Sequence, residues 1–337
     1  MIYHYGVTTT GAYHVKNGTV CQDAHCFERI DDRFAIGAVA DGLGSEEHSD
    51  IASKIASKES VRFCMERIDR KKSPDEILSI IKDSFAEALK SVEQTAKDNG
   101  HSSGEYDTTL ALAVFLDGNV YFGNSGDSGI IVAAPDGRYE ALTKQQRDED
   151  GCVFPLCSGP GKWVFGEKRE VASILLATDG IYETFFPVLL KNSDQTMYIA
   201  LAHYLMSDES LGFSAVGEDR VGQNMKSFIE SIPEAQVNDD KTVLVMLDSS
   251  VTVSKKPDAY YAQPDWVKLR KEREKAFRRE AYPSLYKNEM PNNSESTSAQ
   301  EETVEIKSEP SIEEKDTKES LIKRIKKHFS KKNGEKC

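Results

Sequence analysis

The 337-residue chain has only six cysteines and arranges them without a pattern. Cys21, Cys26, Cys64, Cys152, Cys157 and Cys337 form no Cys-x-x-Cys pair and no zinc-module spacing. A reducing cytosol is therefore the expected compartment. The opening residues lack the charged-then-apolar form of a signal peptide, and no apolar run approaches the ~18 residues of a membrane span. Positive charge is scarce in the body of the chain. The formal net charge is −13, and residues 251–337 hold 20 Lys and Arg against 16 Asp and Glu. Residues 1–250 are left with 23 basic and 40 acidic side chains. Such a body argues against nucleic acid as a partner and suits a domain that concentrates cations.

Two phosphate motifs are also absent. Cys157-Ser158-Gly159-Pro160-Gly161-Lys162-Trp163 has Trp163 where a cysteine phosphatase needs its arginine. As a P-loop the same stretch fails twice, with Leu156 at the first glycine position and Trp163 after Lys162.

The chain does contain apolar runs that end in carboxylates. Ala35 to Ala40 is wholly apolar and stops at Asp41-Gly42, followed by a glycine-bearing loop and a helical pattern. Such a run, bounded by turn residues, reads as a buried strand delivering an acid to the rim of a sheet. Ser173 to Thr178 ends in Asp179-Gly180, Val120 to Gly126 ends in Asp127-Ser128, and Asp239-Asp240 stands just before Thr242 to Leu247. Any one of these is an ordinary turn. Four at strand ends, far apart in sequence, are what hard cations need, because Mg²⁺ and Mn²⁺ take oxygen ligands.

Helical and strand signals fill the intervals. Ser73-Pro74-Asp75-Glu76 combines an N-cap, a proline at the first helical position and a capping-box glutamate. Ile77, Ile81, Phe85, Ala88, Leu89 and Val92 continue it as one apolar stripe, and Ile51 to Ile68 has similar spacing. Thr108 to Leu116 and Val120 to Gly123 read as strands joined by a hairpin turn at Asp117-Gly118-Asn119. Met1 to Thr10 reads as a strand, 11–23 as a loop, 130–134 as a strand, 187–206 as helical and 225–232 as a shorter helix. Strands and helices come in runs rather than strict alternation, which indicates an α+β fold.

In order, Gln22-Asp23-Ala24, Ala40-Asp41-Gly42, Asp107-Thr108-Thr109-Leu110, Gly126-Asp127-Ser128, Thr178-Asp179-Gly180 and Asp239-Asp240-Lys241-Thr242-Val243 resemble the PPM (PP2C-type) metal-dependent protein phosphatases. The closest likeness is to a bacterial branch with Gln-Asp in the first motif, and it spans roughly residues 1–250. The resemblance implies two packed antiparallel sheets flanked by helices, an α-β-β-α sandwich with metals at one end. It implies two Mn²⁺ or Mg²⁺ ions and a third, looser one, held among Asp23, Asp41, the Gly42 carbonyl, Asp127, Asp179 and Asp239. Asp41, Asp179 and Asp239 are then the catalytic carboxylates, supporting hydrolysis of phosphoserine and phosphothreonine on proteins by a metal-activated water without a covalent intermediate. The implied partners are phosphorylated proteins, in the setting of a Ser/Thr kinase and its targets.

Two positions depart from the family pattern. An arginine that holds the substrate phosphate usually stands where this chain has Gly18, leaving His14 and Lys16 as nearby candidates. Gln22 keeps an oxygen where better-known members have a glutamate, but removes a charge. These departures leave open a second reading, a weak or inactive phosphoprotein-binding module of the same fold. Asp107 is either a local cap or faces the metal site, and residues 144–170 correspond to the family's variable flap.

The tail differs in kind. Residues 251–290 form a basic extension in which Asp265 caps a helix to about Ala281, and 291–318 are a polar, acidic stretch expected to be a disordered linker. Residues 319–337 form a basic amphipathic segment with Leu321, Ile322, Ile325 and Phe329 on one face. That segment suits an anionic membrane surface or an acidic partner, or is simply a solubilising end. It makes a cytoplasmic location peripheral to the membrane one expectation. Gly334-Glu335-Lys336-Cys337 does not have the Cys-first order of a prenylation motif, so prenylation is not expected.

Overall fold

A computed structural model describes residues 1–191, 193 and 195–283. The chain divides into two units, Met1–Gln263 and a second that begins at Pro264. In the first unit the elements run β1 (Ile2–Thr9), α1 (Ala12–Asn17), β2 (Asp23–Asp31), β3 (Phe34–Asp41), α2 (Ser49–Arg67), α3 (Pro74–Asp98), β4 (Leu110–Leu116), β5 (Asn119–Ser125), β6 (Gly129–Ala133) and β7 (Tyr139–Ala141). They continue as β8 (Val164–Lys168), β9 (Ser173–Ala177), α4 (Asp179–Tyr182), α5 (Ile199–Met206), α6 (Asp208–Leu211), α7 (Phe213–Val216), α8 (Glu218–Glu230) and β10 (Lys241–Asp248).

The strands form two five-stranded sheets, ordered β1-β10-β9-β6-β7 and β2-β3-β4-β5-β8. Every named pairing is antiparallel. The period-2 alternation of a strand explains how β3, apolar throughout, serves two cores. Ala35 and Val39 pack with Phe115, Ile130, Ile174, Leu244 and Met246 in the core that both sheets share. Phe34, Ile36, Ala38 and Ala40 face the other way, onto Ala52, Ala56, Ile81 and Phe85 of α2 and α3. On the outer side of the first sheet the Tyr5 hydroxyl donates to the Leu205 carbonyl of α5 at 2.9 Å. At the edge of the same sheet Glu218 of α8 accepts the His4 backbone N–H at 2.7 Å, satisfying a donor on edge strand β1. The result is the expected α-β-β-α sandwich.

The local signals explain the elements they predict. Glu76 N–H donates to Ser73 Oγ and Ser73 N–H to Glu76 Oε2, the reciprocal capping box, with Pro74 opening α3. Asp117 and Gly118 both take positive φ, 49° and 78°, as a tight hairpin between β4 and β5 requires.

Three expectations need correction. The loop over 11–23 contains α1, which ends at Gly18 with φ 67° and ψ 24°, the left-handed cap that favours glycine. The expected helix over 187–206 is a 3₁₀ turn at Val188–Leu190 and a separate α5. The Ser193 hydroxyl donates to the Leu190 and Gln195 carbonyls, and such local bonds compete with a helix. The short helix over 225–232 begins earlier and forms α8, Glu218–Glu230.

Residues 251–263 belong to the first unit, where the Tyr260 hydroxyl accepts the Tyr139 backbone N–H at 3.2 Å and Ser254 N–H donates to the Pro135 carbonyl at 2.7 Å. In the second unit, α9 (Trp266–Ala281) starts at Asp265, whose side chain accepts the Lys268 N–H. The proposed linker 291–318 and basic segment 319–337 lie outside the described residues. Among the described residues no helix is long and apolar enough to cross a membrane.

Candidate metal centre

The centre is assembled by the sandwich register. Asp23, at the start of β2, pairs directly opposite Asp41, at the end of β3. Asp41 is held through its own backbone. Its N–H donates to Thr109 Oγ1 at 3.0 Å, and its carbonyl accepts from Thr109 N–H at 2.8 Å and Thr108 Oγ1 at 2.9 Å. The Thr-Thr pair thus fixes the peptide and leaves the carboxylate to face the other acids. Gly42 follows because a Cβ there would lie 2.5 Å from the Ser49 carbonyl oxygen at the start of α2. Asp127 leaves the far end of β5 after Gly126, and Asp179 opens α4 at the end of β9.

Asp41, Asp127 and Asp179 each bring a carboxylate oxygen within 4.8 Å of the others. Burial first, and then the charges of Asp23, Asp179, Asp127 and Asp239, push the Asp41 carboxyl well above the usual range. Asp179 is pushed up to about 7 by burial and then by Asp127 and Asp239. Burial also raises Asp127, although Arg147 opposes the shift. Asp23 is raised by burial against the pull of Thr178, whose Oγ1 donates to Asp23 Oδ2 at 2.7 Å. Its other oxygen, Oδ1, is buried with no hydrogen-bond partner, as is Gln22 Oε1 beside the Gly44 turn. Converging carboxylates that resist ionisation, flanked by orphaned buried oxygens, fit a hard divalent cation.

Flap residue Arg147 completes the electrostatics. Its Nη2 is 2.5 Å from Asp127 Oδ2, 3.3 Å from Asp179 Oδ2 and 3.4 Å from Glu183 Oε1. Gln146 anchors it, accepting the Gly126 N–H on its Oε1 at 2.8 Å and donating its own N–H to the Gly126 carbonyl at 3.1 Å. The rest of the flap motif is structural. Trp163 Nε1 donates to the Leu156 carbonyl, and the ring packs 5.6 Å from that of Phe85.

The family model for protein phosphatase 2C matches residues 10–211. The chain belongs to the protein phosphatase 2C family. A bacterial serine phosphatase with a single substitution superposes on this PP2C chain with a TM-score of 0.53 at 14% identity, covering 76% of this chain and 100% of its own. A second structure of a bacterial serine phosphatase gives 0.51 at 13% identity over the same shares. The serine/threonine phosphatase Stp1 from Staphylococcus aureus is 17% identical over 73% of this chain and 95% of its own, with a TM-score of 0.49. At these identities the likeness is one of fold. No curated protein matches the sequence.

Asp239 lies close enough to this PP2C cluster to raise Asp41, Asp127 and Asp179, and its Oδ1 accepts the Asp240 N–H at 2.8 Å. Asp107 is half-buried; its carbonyl accepts the Leu43 N–H at 3.0 Å, while its side chain bonds Cys157. His14 points inward, its Nδ1 2.9 Å from Asp240 Oδ1 but off the line of a good hydrogen bond. Lys16 is exposed and pairs with Glu234. Gly18 caps α1 with open space where a side chain would stand.

Two residues of the site escape the sequence reading. Arg147 sits in a segment without periodicity. Asp240 is masked by Asp239 beside it, yet it is buried and accepts the Gly11 and Gln22 backbone N–H groups at 2.6 Å each. It ties the starts of α1 and β2 to β10. Asp240→Ala strands one buried and one half-buried donor, so we expect a loss of roughly 2–3 kcal/mol of stability. Urea denaturation in EDTA tests this apart from metal effects, and an unchanged midpoint would remove Asp240 from the framework.

Proposed function

We propose that the chain is a Mg²⁺- or Mn²⁺-dependent hydrolase of phosphoserine and phosphothreonine on proteins. The observation that carries the reading is the convergence of Asp41, Asp127 and Asp179 at one end of a PP2C sandwich. In this reading Asp41, the Gly42 carbonyl, Asp179 and Asp239 would hold two ions, with Asp23 in support. Asp127 serves a third, looser ion. Bound divalent ions supply a nucleophile at neutral pH and neutralise the phosphoryl oxygens.

The chain's own residues do the rest. Thr108 and Thr109 hold Asp41 by its backbone, so its carboxylate stays in place as charge nearby changes. Arg147 is the cation at the cluster, and His14 and Lys16 are engaged with Asp240 and Glu234 instead. Standing at Asp127, Asp179 and Glu183, the planar guanidinium of Arg147 is the group that would pair with a substrate phosphate there. This supplies a phosphate-binding cation from the flap in place of the one absent at Gly18.

The test is phosphate release from a phosphothreonine peptide with Mn²⁺, Mg²⁺ or EDTA, comparing the natural chain with Asp239→Ala. Turnover that needs metal and disappears in the variant is expected. A folded, metal-loaded chain inactive on several phosphopeptides would instead favour the binding-module reading.

A further inference from the structure

A second group of metal-binding side chains lies outside the aspartate cluster. His48 ends the loop that follows Asp41-Gly42, immediately before α2, while His101 and Glu105 stand on the segment between α3 and β4. Each offers one ligand atom, and the three atoms lie within 4.8 Å of one another. His48 Nε2 is 3.8 Å from Glu105 Oε2. The two imidazoles are stacked, centroids 4.2 Å apart and planes 8° from parallel. We propose that His48, His101 and Glu105 form a transition-metal site of the Zn²⁺ class, separate from the oxygen-only aspartate centre.

The chemistry of the donors separates the two sites. Two imidazoles and one carboxylate are a borderline-soft set that suits Zn²⁺ with an open fourth position, whereas Mg²⁺ prefers oxygen alone. His101 is exposed, which leaves room for that fourth ligand, a water. The surroundings also orient the ring. His101 Nδ1 is 2.9 Å from the hydroxyl of buried Tyr106, which itself accepts from Asn99 Nδ2 at 3.0 Å. In the tautomer that protonates Nδ1, that bond runs from the ring to the hydroxyl and Nε2 is the atom left for metal. Stacked rings hold their nitrogen lone pairs in parallel planes, so an ion shared by both must turn them out of the stack. Loss of stacking is therefore the signature of occupancy.

The site also bridges segments that already meet. His48 N–H donates to the Glu105 carbonyl and Leu43 N–H to the Asp107 carbonyl, each at 3.0 Å. An ion held by the three side chains cross-links the 43–48 loop, which starts beside Asp41, to the 101–107 segment.

The experiment measures Zn²⁺ uptake by the full, tag-free chain against a chromophoric zinc indicator, with Mg²⁺ saturating. One Zn²⁺ is expected to bind in the micromolar range or tighter. His101→Gln and Glu105→Gln are each expected to weaken it at least tenfold, since losing even a hydrogen-bond partner of a ligand costs on the order of 10–100-fold. His101 is exposed, so its variant keeps its fold, which a thermal melt verifies. Histidine ring signals in NMR should shift on Zn²⁺ and stay still with Mg²⁺. Uptake unchanged by His101→Gln, uptake lost instead in Cys157→Ser or Asp41→Asn, or no uptake by the natural chain would each overturn the proposal.

Discussion

Asp41→Asn is expected to lower phosphopeptide hydrolysis by at least about a thousandfold while raising the thermal midpoint of the metal-free chain. The two effects have one cause. Three carboxylates within 4.8 Å, crowded by burial, repel one another when no cation is present. The metal-free fold meets this by keeping protons, and a hydrogen bond between the Asp41 and Asp179 side chains needs one. An asparagine amide donates that bond without the charge, so the folded state is relieved. With metal present, the same change would remove a carboxylate from the proposed ligand set, and a thousandfold loss corresponds to about 4 kcal/mol of transition-state stabilisation. The assays are phosphate release under saturating Mn²⁺ and a thermal melt in EDTA. Activity lost together with a lowered midpoint would make Asp41 a structural residue. Activity retained would remove it from the proposed reaction altogether.

How much of this was legible beforehand depended on whether the cause was local. Asp41 and Asp179 each close an apolar run, and burial of that run places them at a sheet end by the same rule. The capping box at Ser73 and the Asp117-Gly118 turn are set by neighbours in sequence, and both appear as predicted. β2 gives no such signal: His25, Glu28 and Arg29 interrupt any alternation, and the strand is fixed by pairing with β3. Arg147 and Asp240 act through partners 20 to more than 200 positions away, at Asp127, Gln22 and Gly11. Asp239 and Asp240 are adjacent, and which carboxylate meets the cluster and which the backbone is decided only when α1 and β2 arrive. Consecutive residues near a strand start point opposite ways, so that division of labour was the one available hint.

Metal and protons should compete at this centre in a way that stability reports. The Asp179 carboxyl has a folded pKa of about 7 against an ordinary value of 3.8. Because the folded pKa is the higher one, the folded state binds more protons than the unfolded state between those values. Its contribution to the stability of the metal-free chain is therefore fully present below about 4 and is lost as pH rises through 7. A divalent ion reverses the balance. It needs the ionised carboxylates, so each proton it must expel weakens binding by up to tenfold per pH unit below about 7. At a concentration a hundredfold above its dissociation constant an ion adds about 2.7 kcal/mol, which for a domain this size is on the order of 5–10 °C. We thus expect the midpoint difference between Mg²⁺ and EDTA to be small at pH 5.5 and to reach that scale at pH 8. A fixed Mg²⁺ concentration and melts at several pH values are sufficient. An equal shift at every pH would mean that the ion is taken up without displacing protons, and the converging aspartates would then not be where it binds.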